Sequence, residues 1–589
     1  MDIVKEFKDQ IPEVALGFLV GSKEVKEELL STLSSVQNSE SQRKADEVDR
    51  VDSEAQRKTN ELAREEAEES RRKLLDRFGG VATPSTNPGT PKVNTFYIAT
   101  EAGTYANMGG VVLNTSEFAV IAWNGTVWSK HTIFDVLSLP DAEGADLQTL
   151  ASIVVDGNQL KQVKLASMFS YNEEEAAYGV EWDATVSSTA MTRIGNMSLH
   201  RSLPIQKKMK GCLLDDDGNL VEYLPSDDWT GATLDGSKGQ VMVEIPMHYR
   251  KFETIGNIRR CWVSEYPVSG YHKVPKMYIS AYEATVQRST SKLASVMNTS
   301  TDYRGGGNQA AWDGTYRSML GRPAGSLSRT NARIYARNRN ANIFKWNCLT
   351  YEAYKAVFWL YFTEYANTNS QLAFNSELDS NGCKQGGLGS GASQMKDADS
   401  SSLFSYNPVI PCGLTNKFGN ASGEVAYDVI KDDGSSLITL YSNRYRGIEN
   451  PFGHIWKWVD GVNIQINPTS ENGGDGTSKV YVANEPSLFN DSNYDGYTLR
   501  GLEARSNAYV RELIFGEFGE IIPAVVNGSS TTYWSDYHST NIPTTTTLRG
   551  LMVGGNLTNA SYVGFACVNT YQTAEGRQAY FGARLCFIP

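Results

Sequence analysis

The chain has 589 residues, of which 40% are hydrophobic and 11% are aromatic, and it contains 52 glycines. At roughly 150 residues per domain, this length predicts about three to five domains with well-buried cores. The formal net charge of -12 argues against a nucleic-acid partner, because a phosphate backbone favours a basic surface.

The N-terminal segment, residues 1–37, has no recognisable secretory signal. Asp2 and Glu6 stand where a signal peptide carries basic residues, and the apolar run that follows is short. No stretch of the chain approaches the roughly 18 apolar residues of a transmembrane helix. We therefore expect no membrane insertion and expect residues 1–37 to be an attachment region.

Residues 38–80 are dense in Glu, Arg, Lys and Ala, with no Pro or Gly before Gly79. This composition predicts a long helix that ends at Gly79-Gly80. Its few apolar residues are spaced by threes and fours, which favours a weak coiled coil with copies of itself. A solvated single helix or a disordered charged tract is the alternative.

Pro, Ser and Thr dominate residues 81–92, which predicts a linker. Residues 93–135 change to a period-two pattern that is typical of short strands and predicts a small β module. Within it, Asn124-Gly125 between two tryptophans predicts a hairpin. A mixed connector, residues 136–177, then leads into the remainder of the chain.

The remainder, residues 178–589, is rich in Gly, Asn and aromatic residues and contains one strong helix pattern. Thr350 is a suitable N-cap, Glu352 lies in the first turn, and the chain is apolar nearly all round from Ala356 to Phe362. We expect this helix to be buried. Short strands and long turns dominate elsewhere, so the sequence predicts an α+β fold behind an N-terminal helical region and a small β module.

The segment "YRGIENPFGHIWKWVDG", residues 445–461, offers His454 as a base and Glu449 and Asp460 as carboxylates. In an extended segment alternate side chains share a face, so His454 would lie beside two tryptophans. This favours a buried structural histidine over a catalytic base. The chain also lacks the motifs of nucleophilic, metalloprotease and phosphate-binding sites, so we predict no catalytic residue and no cofactor.

Two acidic segments, "DDDGN" (215–219) and "DSNYDG" (491–496), could gather oxygen ligands for calcium. Neither is followed by the Glu of a full calcium loop, and Asx turns are the simpler interpretation, so no metal is predicted. The seven cysteines form no C-x-x-C pair and are expected to be buried reduced thiols. They are Cys212, Cys261, Cys348, Cys383, Cys412, Cys567 and Cys586.

The segment "YRGIENPFGHIWKWVDGV" resembles the Gly-Asn-x-Trp-x-Trp region of the C-type-lectin-like fold. Formylglycine-generating enzymes share this fold with the variable proteins of diversity-generating retroelements. Three further segments extend the resemblance: "PKMYISAYEATVQRST" (275–290), "ARIYARNRN" (332–340) and the C-terminal stretch that ends in "GARLCFIP". Together they resemble variable fibre proteins of phages and prophages of gut Bacteroides-type bacteria, which implies a C-type-lectin-like head over residues 178–589.

The resemblance also implies a ligand-binding face in the last strands and loops before the terminal G-x-R-L, where exposed positions vary. Tyr and Asn are frequent among the candidates and suit a recognition surface in their own right, since Tyr supplies rigid contact area and Asn adaptable hydrogen bonds. The candidate ligand-binding residues are Trp534, Tyr537, Asn556, Asn559, Tyr562, Cys567, Asn569, Tyr571, Gln572, Tyr580 and Phe581.

Period-two alternation separates an exposed set near the C-terminus from a buried set. We expect the exposed side chains to lie together and the terminal "RLCFI" strand to pair centrally in a sheet. The expected exposed set is Tyr562, Asn569, Tyr571 and Tyr580, and the expected buried set is Phe565, Leu585 and Phe587.

The resemblance implies a tail or head fibre of a virion, made in the host cytoplasm, that binds a bacterial surface glycan or outer-membrane protein. We expect a homotrimer whose N-terminus contacts other virion proteins. The paired reactive cysteines of the enzyme branch are not matched by Cys567 and Cys586, so the prediction is a binder and not an enzyme. Two alternatives stay open: a surface-polysaccharide depolymerase with Glu449, Asp460 or Asp536 as its carboxylates, and a cell-borne adhesin.

Overall fold

The computed structural model of the chain describes residues 77–99, 101–114, 117–135, 151–156, 159–164, 171–341, 344–395 and 407–589. The predicted attachment region and all but the last four residues of the predicted charged coiled-coil helix lie outside these ranges. The chain divides into two compact units, the second of which begins near Val163 and runs to Pro589.

The first unit is built on a four-stranded sheet in which the first two strands are parallel and the other pairs antiparallel. In spatial order its strands are Phe78–Ala82, Phe96–Ala99, Glu117–Trp123 and Trp128–Asp135. Two short pairs of strands are described as well, Gly103–Tyr105 with Val111–Leu113 and Ala151–Asp156 with Gln159–Lys164.

The predicted Asn124-Gly125 hairpin is confirmed. Trp123 pairs with Trp128 across it, and their ring centroids are 5.4 Å apart. The Asn124 side-chain oxygen accepts hydrogen bonds from the backbone N–H groups of Thr126 and Val127, both at 2.9 Å. Asn therefore forms the turn through its own side chain.

One boundary differs from the prediction. Phe78–Ala82, expected as the end of the charged helix and the start of the linker, form a strand beside Phe96–Ala99. Gly79 permits this close pairing, because a Cβ there would lie 2.2 Å from the Tyr97 ring. Gly79 therefore serves strand packing here.

The second unit contains three large sheets. Its five-stranded sheet has the order Thr192–Gly195, Ala177–Asp183, Ile258–Ser264, His248–Ile255 and His272–Val274. Its six-stranded sheet has the order Leu220–Tyr223, Lys210–Leu214, Gln240–Ile245, Met277–Ser280, Leu585–Phe587 and Trp346–Cys348. Its nine-stranded sheet has the order Thr498–Leu502, Ser478–Val482, Trp456–Ile466, Thr547–Gly554, Gly564–Asn569, Tyr537–Ser539, Ala508–Phe515 and Glu520–Val526, with Phe581–Gly582 parallel to Trp456–Ile466.

The two ends of the nine-stranded sheet approach each other, since the Ala504 backbone N–H donates to the Pro523 carbonyl at 2.9 Å. The sheet is therefore close to a closed barrel. The smaller sheets complete the strand set. They are Gly423–Ile430 with Ser436–Tyr445 and Ile448–Glu449, Thr285–Gln287 with Lys292–Ala294, and Phe374–Leu378 with Lys384–Gly386.

Within the described ranges the α-helices are short apart from the last: α1 (Glu173–Ala176), α2 (Met197–Ser202), α3 (Arg329–Arg337) and α4 (Tyr351–Tyr365). The prediction for α4 is confirmed. Thr350 caps it by accepting a hydrogen bond from the Ala353 backbone N–H at 3.3 Å, and nearly every residue is buried. Single 3₁₀ turns lie at Gln206–Lys208, Thr301–Tyr303, Ala310–Trp312, Asn416–Phe418, Ser470–Asn472, Pro486–Leu488 and Ala560–Tyr562.

The prediction of an α+β fold with an N-terminal helical region and a C-type-lectin-like domain is wrong for the described residues, which are mostly β and dominated by the near-closed nine-stranded sheet. The period-two pattern of residues 93–135 forms short strands, as predicted. A single long helix, α4, serves as the centre of the aromatic core, where Phe358 and Trp359 contact Trp534 and Phe515.

The prediction for the C-terminal strand is confirmed. Leu585–Phe587 lies between Met277–Ser280 and Trp346–Cys348 in the six-stranded sheet. Phe565, Leu585 and Phe587 are all buried. The Phe587 ring packs against Trp346 at a centroid distance of 4.8 Å.

Candidate functional site

The polar side chains of the segment 445–461 are almost all buried. His454, Lys457 and the partner carboxylate Glu283 are all almost completely buried. The His454 Nε2 atom accepts hydrogen bonds from the backbone N–H groups of Val409 and Ile410, at 3.2 and 3.1 Å. Its Nδ1–H therefore donates to Glu283, so both ring nitrogens have structural partners.

Lys457 completes this buried cluster with its Nζ atom 2.8 Å from the second oxygen of Glu283. Burial opposes the charge on Glu283, but Lys457 and His454 lower the pKa of Glu283 to about 2. Burial lowers the pKa of Lys457 to about 8, although Glu283 acts in the opposite direction. The cluster therefore holds an ion pair that joins the 445–461 segment to the strand region around residue 283.

Asp460 belongs to a second buried network. Arg333, on α3, donates to both Asp460 oxygens at 2.5 and 2.7 Å and to both Asp491 oxygens at 2.8 and 2.9 Å. Arg329 adds a bond of 2.8 Å to Asp491. Burial alone would raise the pKa of Asp491, but Arg329 and Arg333 lower it to about 2. Because these carboxylates are committed to arginines, this network is structural.

The carboxylates considered as calcium ligands are likewise bonded to groups of the protein. The Asp491 oxygens are bonded to arginines, and the Asp215 carboxylate accepts a hydrogen bond from the backbone N–H of Asn219 at 2.8 Å, four residues further along the loop. Asp216 pairs with Lys292 at 2.6 Å. Across the part of the chain that the structure describes, no group of three or more His, Cys, Asp or Glu side chains is placed to hold a metal ion.

The three carboxylates proposed for a depolymerase are buried and separately engaged. Glu449 accepts from the backbone N–H groups of Gly413 and Thr415 at 2.8 and 2.7 Å. Asp460 is paired with Arg333, and Asp536 accepts from the backbone N–H of Ala566 at 2.7 Å. Glycoside hydrolysis needs two carboxyls across an open cleft, and these three do not face one. This geometry disfavours the depolymerase alternative.

All seven cysteines are free and buried. Burial raises the pKa of Cys567 well above its usual value and raises that of Cys586 to about 11. A reactive thiol needs an accessible setting with a lowered pKa, so neither residue is a nucleophile here. The prediction of buried reduced thiols is confirmed.

Four of the eleven candidate ligand-binding residues lie in the interior, and this corrects the prediction that they form a surface. They are Trp534, Asn556, Cys567 and Phe581. Trp534 packs among the α4 aromatics, and Cys567 lies in Gly564–Asn569, a strand covered on both faces. Simple alternation between core and solvent does not apply to a strand buried on both sides.

The other candidate residues are exposed or half-buried, and two of them join a cluster of three tyrosines. The Tyr537 and Tyr562 rings are stacked, with centroids 4.1 Å apart and an interplanar angle of 18°. Tyr509 meets both rings edge-on, at 5.3 Å from Tyr537 and 5.4 Å from Tyr562. We call Tyr509, Tyr537 and Tyr562 the tyrosine cluster.

The tyrosine cluster is positioned by strand pairing and by one short turn. Tyr509 lies opposite Tyr537 in the antiparallel pair of Ala508–Phe515 with Tyr537–Ser539. Tyr562 ends the 3₁₀ turn Ala560–Tyr562, and the Tyr509 hydroxyl lies 2.8 Å from the Ser561 hydroxyl. The turn is therefore held against the sheet from which the other two rings project.

Contacts from neighbouring residues fix the backbone around the tyrosine cluster. The Gln371 side-chain amide donates to the carbonyls of Ser561 and Val563 at 3.0 and 2.6 Å. Gly564, with a φ of 148°, lies directly on Asp536, since a Cβ there would be 2.2 Å from the Asp536 carboxylate. Burial raises the pKa of the Asp536 carboxyl well above its usual value.

The remaining candidates do not join this cluster. Tyr571 is exposed, and its backbone N–H donates to the Asn569 side chain at 2.9 Å. Tyr580 is half-buried and packs edge-on against Phe581 at 5.0 Å. Asn559 and Gln572 are half-buried in neighbouring turns. Of the four residues expected to lie exposed together, Tyr562 and Tyr571 are exposed, and Asn569 and Tyr580 are half-buried. That the four form one group stays a prediction.

Tyr509 and Gln371 were missed by sequence reasoning. Tyr509 alternates with the buried Val510 in a strand pattern, so its exposure was readable from the sequence. Its pairing opposite Tyr537 could not be predicted, because the register between strands about 30 positions apart is not encoded in any local sequence pattern. Gln371 acts through backbone carbonyls, which no side-chain motif reveals.

Comparisons with known proteins give little further. No protein-family model matches the chain. No curated protein matches it either. No described helix is long and apolar enough to cross a membrane.

Similar solved structures include variants of the Major Tropism Determinant. The U1 variant is 11% identical with a TM-score of 0.19, and the alignment covers 87% of this chain and 98% of that one. The M1 variant is 10% identical over the same shares, with a TM-score of 0.18. At such scores the similarity carries no argument about this chain's fold or binding face.

Proposed function

We propose that this chain is a receptor-binding fibre protein of a bacteriophage and that it attaches to a bacterial surface through the tyrosine cluster. The observation that carries the proposal is the cluster itself: three phenol rings in mutual contact on the surface, on a backbone fixed from below. The sequence resemblance to variable phage fibre proteins supports the same assignment.

The chemistry of the cluster suits protein or glycan recognition. Tyrosine presents a large rigid ring and a hydroxyl at low conformational cost, and aromatic residues dominate binding energy at interfaces. Tyr562 is 41% exposed although its ring is stacked. Rings already held in place lose little freedom on binding, which favours affinity.

The position of the cluster also suits a surface that changes without loss of the fold. The rings lie outside the α4 core, while Phe565 and Trp534 from the same segments lie inside it. Exposed side chains contribute little to stability, so residues at the cluster are free to differ. A recognition surface that adapts to different receptors needs this separation.

Assembly is a further part of the proposal. We expect a homotrimer, with residues 1–37 directed to other virion proteins, because the sequence of residues 38–80 cannot bury its apolar residues alone. The molar mass of the full chain in solution, measured by light scattering, tests this directly. A monomer would contradict the assembly without affecting the tyrosine cluster.

The experiment for receptor binding uses the purified full chain, fluorescently labelled, on a panel of bacterial strains. The test variant is Tyr562→Ala. Its matched control is Tyr266→Ala, because Tyr266 is 45% exposed and is stacked on Tyr171 at 4.5 Å in another part of the second unit. We expect the wild-type chain and Tyr266→Ala to bind the same strains and Tyr562→Ala to lose at least about ten-fold in affinity.

Equal binding by the two variants would exclude the tyrosine cluster as the attachment surface. Release of reducing ends from capsule polysaccharide by the wild-type chain would replace binding with hydrolysis as the function.

A further inference from the structure

A cleft of about 810 Å³ opens in the second unit on residues that differ from the tyrosine cluster. Three segments and one strand residue form it: the loop 491–495, the strand start 546–548, the turn 573–575 and Gln465. Its volume lies within the range of about 300 to 1,000 Å³ that is usual for small-ligand sites.

The loop 491–495 is held in one conformation by buried side chains. The Asn463 side-chain amide, almost fully buried, donates to the carbonyls of Asn490 and Asn493 at 3.1 and 2.7 Å. Arg333 holds Asp491 with two hydrogen bonds, so this carboxylate anchors the loop from within. The cleft is therefore preformed, which lowers the cost of ordering it around a ligand.

Tyr494 gives the cleft a rigid aromatic wall. Its ring is stacked on Tyr481 with centroids 4.2 Å apart and an interplanar angle of 10°. Leu548 and Ala574 add apolar surface to the same cleft. An aromatic ring of this kind can pack against the apolar C–H face of a sugar ring.

The rest of the lining is rich in groups that both donate and accept hydrogen bonds. Ser492 and Asn493 are exposed at the loop, and Thr546 and Thr573 are exposed on the other segments. Hydroxyl and amide groups match the alternating donors and acceptors of sugar hydroxyls. An apolar peptide segment would leave many of these groups unpaired, at a cost in free energy.

The charge of the lining selects against acidic ligands. Asp495 and Glu575 are exposed carboxylates; Arg333 is committed to Asp460 and Asp491, and Arg577 lies 3.8 Å from Glu575. An anionic saccharide or a phosphate would be repelled by the Asp495 carboxylate. A carboxylate accepts a hydrogen bond well from a neutral sugar hydroxyl.

We infer that this cleft binds a neutral saccharide of the bacterial surface. The inference extends the proposed function to one receptor chemistry but rests on a separate set of residues. Binding of soluble sugar here therefore stands or falls independently of attachment through Tyr562.

The test is calorimetric titration of the full chain with three neutral trisaccharides, maltotriose, mannotriose and triacetylchitotriose, and with trigalacturonate as the acidic probe. Ser492→Trp places a large ring in the mouth of the cleft, and Ser435→Trp is the matched control at an exposed turn elsewhere. We expect at least one neutral trisaccharide to bind the wild-type chain and Ser435→Trp. Its affinity for Ser492→Trp should be lower by at least about ten-fold.

A second variant guards against misfolding of the first. Asp495→Asn preserves the shape of the side chain and removes its charge, so we expect it to keep the neutral probe within about three-fold and to bind trigalacturonate more strongly than the wild-type chain does. Tyr562→Ala should leave every titration unchanged.

Several outcomes would overturn the inference. They are absence of binding by all three neutral probes, preference of the wild-type chain for trigalacturonate, and equal binding by the two tryptophan variants. Binding of calcium chloride alone, lost in Asp495→Asn, would identify a cation site in its place.

Discussion

The segment 445–461 and the tyrosine cluster are built from similar residues and have opposite environments. Both combine aromatic rings with polar groups near turns. In the first, His454, Lys457 and Asp460 are buried and bonded to partners from other parts of the chain. In the second, Tyr537 and Tyr562 contact each other and remain open to solvent.

The difference shows that residue type alone does not separate a structural segment from a binding surface. A His between carboxylates suggests a catalytic site from sequence alone. In the structure both ring nitrogens of His454 are hydrogen-bonded within the protein. A ligand-binding surface is recognised by exposed polar and aromatic atoms that make no contacts within the protein. Substitutions in the two regions should therefore affect different measurements.

The largest expected effect is on the buried network of α3. Arg333→Met leaves Asp460 buried without its partner, and we expect a loss of about 3 to 5 kcal/mol in the free energy of unfolding. Arg577→Met is the control, since Arg577 is exposed and lies 3.8 Å from Glu575, and it should cost under about 0.5 kcal/mol. Urea denaturation followed by tryptophan fluorescence measures both. Equal losses would show that the buried pairing is not what stabilises the segment.

The next effect concerns His454. His454→Leu leaves the backbone N–H groups of Val409 and Ile410 without an acceptor, and each buried unsatisfied group costs about 1 to 3 kcal/mol. We expect a drop of several degrees in the melting temperature measured by calorimetry, with binding to bacteria retained below that temperature. Loss of binding by a variant that is still folded would instead give His454 a direct role.

A third prediction concerns the buried carboxyl of Glu503. Burial raises the pKa of Glu503 to about 8, while the Thr570 hydroxyl donates to its carboxyl at 2.6 Å. A carboxyl with a raised folded-state pKa stabilises the fold fully below its unfolded pKa, and this contribution is lost as the pH rises towards 8.

Glu503→Gln cannot ionise, so its stability relative to the wild-type chain should increase with pH by up to about 1.4 kcal/mol per pH unit. Unfolding measured between pH 6.5 and 8 isolates this effect from His538, whose pKa burial lowers to about 4. A difference that does not change with pH would mean that Glu503 is ionised in the folded protein.

The smallest expected effect on stability is in the exposed set. Tyr571→Ala and Tyr562→Ala should each change the free energy of unfolding by less than about 0.5 kcal/mol. Phe587→Ala, in the buried C-terminal strand, should cost about 3 to 5 kcal/mol in the same urea titration. If Tyr562→Ala unfolds the second unit, the cluster belongs to the core and the contrast between the two regions fails.

Much of the local structure was predictable from sequence. The α4 helix, the Asn124-Gly125 hairpin and the buried C-terminal strand each follow from caps, turn residues and apolar runs. The near-closed sheet was not predictable, because it depends on pairing between distant strands. Cys567 was misplaced because a strand covered on both faces has no solvent side for alternation to reveal. Trp534 was misplaced because its turn packs against the distant helix α4.

The tyrosine cluster was half predictable. Tyr537 and Tyr562 were chosen for residue type and position, and the structure brings them together. Tyr509 could only be added once the pairing of Ala508–Phe515 was known.

The most direct test of the central claim is hydroxyl-radical footprinting of the full chain, free and bound to cells of a strain that it recognises. We expect reduced labelling of Tyr509, Tyr537 and Tyr562 in the bound state and unchanged labelling of Tyr266. Unchanged labelling of all three cluster tyrosines on bound protein would contradict it.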